Sequence, residues 1–215
     1  MIYDFPPLEA PIRQGDIFIQ IPRIDFSPRQ MVFVTDEGQQ AAAWRDVADV
    51  QEPSTAIVAI RPVAAIVATQ DCDTLRSPDI TLCEIRRFQE VEKKSERTTA
   101  AKSWKDILTQ HSRINQKWFY LPPDARIGFG EKMAVEFLVT IRIPREDLED
   151  LRFLRRGRLN QIADEHFRER ISEFFRRYPY DEWYALDGAE FEAYRQQYPD
   201  AAPFPWQEVK PTESV

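Results

Sequence analysis

The chain has 215 residues, 43% hydrophobic and 30% charged, with a formal net charge of −7. That balance belongs to a globular protein with a sizeable core and argues against wholesale coating of nucleic acid. No apolar run approaches the roughly 20 residues of a spanning helix, and the start, MIYDFPPLEAPIRQGD, lacks the basic-then-apolar plan of a signal peptide, so a cytoplasmic protein without a membrane partner is expected.

In chain order, Pro6, Pro7 and Pro11 deny residues 1–14 the amide donors of a helix or central strand, so an extended opening is expected. Gln14-Gly15-Asp16 reads as a turn, and Ile17–Ile21 alternates as a strand does. Residues 30–35 (QMVFVT) read as a second strand ended by the turn signal Asp36-Glu37-Gly38. Residues 39–55 fit a short helical turn around Trp44 and a loop. Ala56–Ile60 and Val63–Thr69 are two strands, or one broken at Arg61-Pro62, where the proline implies an edge or a bend. A polar knot follows, Thr69-Gln70-Asp71-Cys72-Asp73, then a strand over Ile80–Ile85.

Residues 90–102 are charged and read as a solvated insertion; Trp104, Ile107, Leu108 and His111 then fall at helical spacing. Lys117–Leu121 reads as an aromatic strand and Ala134–Ile143 as the longest one, stopped by Pro144. Everything after Pro144 reads as helical. Asn160 is an N-cap candidate, and Ile162, His166, Phe167, Ile171, Phe174, Phe175 and Tyr178 form one apolar stripe that turns His166 toward the core. A second helix is expected from Asp187 to Pro199. Strands followed by helices mean an α+β fold: a small barrel with a helical insertion around 98–115 (residues 1–144), a helical extension packed against it (145–199) and a loose tail (200–215).

Three groups of residues invite chemistry. Gln70, Asp71, Cys72 and Asp73 put two carboxylates beside a thiol where an aliphatic strand ends. Such carboxylates can act as a general base or hold a divalent metal, and Cys72 can act as a nucleophile given a base such as His111 or His166. The plain alternative is that the knot satisfies backbone groups at a strand end. Cys72, Cys83, His111 and His166 would suffice for zinc, but no CxxC or HxxxH spacing assembles them, so no resident metal or other cofactor is assigned. Second, residues 151–178 hold eight arginines against four acids, with Arg155, Arg156 and Arg158 just ahead of a helix, where they could meet phosphate or only solvent. Third, Trp118, Phe119 and Tyr120 could stack on single-stranded bases.

Gly15-Asp16-Ile17 before a strand, then Arg61-Pro62 leading into an aliphatic strand, resembles the opening of the PemK/MazF-type toxin barrels over about the first 85 residues. That resemblance implies an SH3-like barrel, a homodimer and cleavage of single-stranded RNA, with Arg61 at the position of a family catalytic arginine. The family's threonine after its next strand has no counterpart, since Arg86-Arg87 stand there. The knot Thr69–Asp73, with Tyr120-Leu121-Pro122 and the run from Glu165 to Arg177, is similar to an uncharacterised bacterial family with a (Ser/Thr)-Gln-x-Cys-Asp signature. Together the readings give an interaction module with a protein partner in a toxin–antitoxin, phage-defence or DNA-associated setting. The alternative is a nuclease-like enzyme on single-stranded RNA or DNA using Arg61 and the Asp71-Cys72-Asp73 loop, with Gln70, the arginines at 155, 156 and 158, and His166 in binding roles.

Overall fold

The computed structural model describes residues 2–49, 53–91 and 117–176, together with 196, 197 and 199. The chain divides into two units, Met1–Phe175 and Arg176–Val215, and every described strand belongs to the first. The helix expected around 98–115, all but residues 196, 197 and 199 of the one expected from Asp187, the tail and His111 lie outside the described residues.

The first unit is α+β. Its elements are β1 (Tyr3–Asp4), β2 (Asp16–Asp25), β3 (Met31–Thr35), β4 (Gly38–Ala42), a 3-10 turn at Trp44–Asp46, β5 (Thr55–Ile57), β6 (Ala59–Val67) and α1 (Asp71–Thr74). Then come β7 (Asp79–Arg87), α2 (Phe88–Val91), β8 (Trp118–Leu121), β9 (Met133–Pro144) and α3 (Arg145–Asp150). A second 3-10 turn (Arg152–Leu154), β10 (Arg155–Leu159) and α4 (Gln161–Arg176) complete it. Seven strands form one antiparallel sheet in the order β1-β10-β2-β6-β7-β9-β8, and three form a small sheet, β4-β3-β5. Among the described residues no helix is long and apolar enough to cross a membrane.

The large sheet curls. The hydroxyl of Tyr3, on one edge strand, donates to the Pro122 carbonyl just past the other edge strand at 2.8 Å, and the Tyr3 ring meets Phe129 edge-on. Side chains from all seven strands enter one core: Tyr3, Ile17, Ile66, Cys83, Ile85, Leu121, Val135, Phe137 and Leu159, closed by Phe167 and Phe174 of α4. Alternate residues point the other way. Phe18, Ile21, Val63, Ala65, Val67, Ile80, Leu82 and Ile141 form a second core under α3 and its 3-10 turn, through Leu148 and Leu154. Burial on both faces explains why the strand after Arg61-Pro62 reads as a continuous apolar run.

The sequence leads one to expect only helices after Pro144. Residues 155–159 instead form β10, inserted between β1 and β2, so the boundary drawn at 144/145 does not separate sheet from helix. Arginines dominate this strand, which hides it from a search for apolar alternation. Asp16 is what holds them. It is fully buried; its carboxylate accepts from Arg158 Nε at 2.5 Å and Nη2 at 3.0 Å, Arg155 Nη1 at 3.1 Å and the Arg13 amide at 2.9 Å. The same guanidinium groups donate to the carbonyls of Pro7, Leu8 and Pro11. A proline-rich segment offers acceptors but few donors, and these arginines supply them.

The distal halves of β2 and β6 leave the large sheet. β10 pairs β2 only from Asp16 to Phe18, and β7 pairs β6 only from Ala64 to Val67, whereas β2 and β6 continue together to Asp25 and Ala59. A bulge between Phe18 and Ile21, with Gln20 at φ 60°, marks the departure. The result is a two-stranded arm carried on into the small sheet.

Candidate functional site

The polar knot lines a cleft of about 700 Å³. β6 delivers it: the aliphatic strand ends at Val67, Gln70 precedes the single turn of α1, and Asp71, Cys72 and Asp73 project from that turn. The facing wall is α4, which contributes Arg168, Ile171, Ser172 and Phe175. Gln14, 3% exposed, floors the cleft and donates from Nε2 to the Ala68 carbonyl at 2.8 Å.

Asp71 is the hub. Its Oδ1 accepts the Gln14 amide at 2.8 Å; its Oδ2 accepts Arg13 Nη2 at 2.7 Å and Arg168 Nη2 at 2.9 Å. One carboxylate thus ties the N-terminal segment, α1 and α4 together. Burial pushes its pKa up, but the Arg13 hydrogen bond, the Gln14 amide and the two guanidinium charges outweigh that, and the net shift is downward. Asp164 shares Arg168, at 2.6 Å, and shifts the other way. Burial raises it, and its Oδ1 is buried without a hydrogen-bond partner among the described residues. That oxygen sits over Gly15, at φ +81°, where an added Cβ would meet it at 2.8 Å.

A carboxylate with a depressed folded pKa stabilises above its ordinary value of 3.8, and that stability is lost as pH falls through the folded pKa. Asp71→Asn is therefore expected to be less stable than wild type at neutral pH, with the gap closing below about pH 4. Asp164, raised in part by the Asp71 charge, is relieved of that contribution in the variant, which offsets part of the gap without changing its sign. Urea midpoints at a series of pH values check this; a gap unchanged at pH 3 refutes it.

The two thiols differ sharply. Cys72 is exposed, with Sγ 3.9 Å from Gln70 Oε1, while Cys83 lies in the core and burial pushes its thiol up to about 12. A thiol reagent should consume one equivalent from the native protein and a second only in denaturant. Two fast equivalents would contradict this placement. Among the described residues no three His, Cys, Asp or Glu side chains gather to hold a metal ion.

The other anticipated residues lie elsewhere. His166 is exposed and does not line the cleft; of the expected apolar stripe on α4, Phe167 and Phe174 are buried and Ile171 packs against the core, whereas Ile162, His166 and Phe175 are exposed, their places on the buried face taken by Ala163 and Asp164. Arg155 and Arg158 turn onto Asp16, and Arg156 alone of the three is exposed. Trp118 is buried in a small cluster with Phe88 and Ala134, and Phe119 packs edge-on against Phe167, which removes both from any stacking platform.

Arg61 stands on the arm, roughly 20 Å along β6 from the strand's end at Val67. It does not join the Asp71–Asp73 loop. It pairs with Asp25 at 2.9 Å and Glu84 at 3.1 Å, and Arg23, directly opposite it, also pairs with the buried Glu84. These groups form the charged face of the arm. The opposite face carries two cross-strand pairs, Pro22 with Pro62 and Ile24 with Ile60, and all four residues are exposed. Ile24 is 58% and Ile60 62% exposed, and Phe26, Val34, Trp44 and Ile57 are exposed as well.

No protein-family model matches the chain, and no curated protein sequence matches it.

Proposed function

We propose that the protein is an interaction module whose arm docks a protein partner on the apolar face made by Pro22, Ile24, Ile60 and Pro62. The observation that carries this is the arm's two-sidedness. Arg23 and Arg61 fasten one face to Glu84, and the other presents a contiguous apolar patch to solvent. A two-stranded ribbon without a covered face is marginal in water. Burying each isoleucine against a partner would return roughly 1–2 kcal/mol.

The prolines indicate how the partner binds. Neither has an N–H, so the Pro22–Pro62 pair cannot be hydrogen-bonded, and the ladder runs through Ile21–Val63 and Arg23–Arg61 instead. At Pro22 and Pro62 the outward edges therefore lack donors, which disfavours strand addition and leaves the side-chain face as the binding surface. The SH3-like, PemK/MazF-type character and the toxin, defence or DNA-associated setting are part of this reading and rest on the sequence resemblances. Nuclease chemistry through Arg61 is the weaker reading, because Arg61 is doubly paired and remote from the loop.

The test places a photo-crosslinking residue at position 60, at 24, or at the control position Leu138, which is 59% exposed on β9. One defined protein captured from 24 and 60 but not from 138, and lost in Ile24→Asp/Ile60→Asp of unchanged melting temperature, is the expected result. Equal capture at 138 overturns the reading.

A further inference from the structure

The cleft between α1 and α4 is separate from the arm, and its free functional groups define a ligand. Its volume of about 700 Å³ lies within the roughly 300–1,000 Å³ usual for small-molecule sites. Asp71 has both oxygens engaged, in three hydrogen bonds. Arg168 spends Nη2 on Asp71 and Asp164, and its Nε and Nη1 have no partner among the described residues. Asp73 is exposed, and no described residue forms a hydrogen bond or ion pair with its carboxylate. The cleft is thus lined by an open guanidinium edge, on a side chain already paired through Nη2, and by a carboxylate with no described partner. Both line the one cleft, and the Asp73 Cα lies about 5–6 Å from that of Asp71, whose carboxylate touches Arg168. Beyond Arg168 on α4, Ile171 and the 64%-exposed Phe175 add an apolar wall.

The geometry points to a binding site for a free α-amino acid with an apolar side chain. The ligand's carboxylate meets the open edge of Arg168, its ammonium meets Asp73, and its side chain lies on Ile171 and Phe175. A guanidinium and a carboxylate recognise the two ends of a zwitterion by charge-assisted hydrogen bonds. A simple anion or cation would satisfy only one of them.

The experiment is calorimetric titration of the full chain with L-phenylalanine, N-acetyl-L-phenylalanine and L-phenylalaninamide. Wild type should bind the free amino acid, with each capped form weaker by about tenfold or more. Asp73→Asn should lower affinity for free phenylalanine to that of the acetylated form while leaving the acetylated form's own affinity unchanged. This variant keeps every hydrogen bond of Asp71, and an unchanged melting temperature verifies its fold. Equal affinity for free and capped ligands, equal weakening of both by Asp73→Asn, or no heat at millimolar ligand each overturns the proposal.

Discussion

Asp16→Asn is expected to cost about 3–5 kcal/mol of stability, the range for removing one partner from a buried charge cluster. Asp16 is 0% exposed and Arg155, by its side chain, only 2%, so neither charge has water to fall back on. The asparagine has nearly the same shape but turns a donor toward guanidinium and amide donors, and it leaves two arginines without their counter-charge. The damage should concentrate where these arginines reach: β10, the start of β2 and the carbonyls of Pro7, Leu8 and Pro11. Urea unfolding followed by tryptophan fluorescence measures the loss, and hydrogen exchange at β10 locates it. A loss below about 1 kcal/mol would show that Asp16 is no better than a surface ion pair.

The same cluster shows what local sequence could and could not reveal. Strands over 17–21, 30–35, 80–85, 117–121 and 134–143 were legible, because alternation and proline stops are local signals and the tertiary structure agreed with them. The knot at 69–73 was legible as the place where an aliphatic strand gives way to lone pairs, and a cleft does lie there. β10 was not. Arg-Arg-Gly-Arg-Leu has the composition of a solvated or phosphate-facing segment, and only an aspartate 139 residues before Arg155 makes it a strand. Gln14 and Arg168 escaped notice for the same reason, since their meeting with Asp71 is created by the fold. Pro62 reads locally as an edge or a bend; that Pro22 faces it across a ribbon is a matter of register, which one chain segment does not encode.

Phe167→Ala should be the most damaging change on α4, at about 3–5 kcal/mol. Phe167 is fully buried, with its ring 5.4 Å from Phe119 and 6.0 Å from Phe137, and it anchors the helix that closes the curled sheet. The loss should not be uniform. Phe174 still packs on Phe137 at 5.4 Å, and Asp71 still holds Arg168, so α4 is expected to open more often rather than detach. Cys83 reports this, because it shares the core that Phe167 covers and its thiol is held far from reactivity by burial. In native buffer Cys83 of the variant should label faster than in wild type while Cys72 labels at the same rate. If α4 were fastened mainly by its ion pairs, Cys83 would stay protected in Phe167→Ala and become labelled in Asp71→Asn instead. The two variants side by side therefore decide whether apolar packing or the Asp71 hub keeps the cleft's second wall in place.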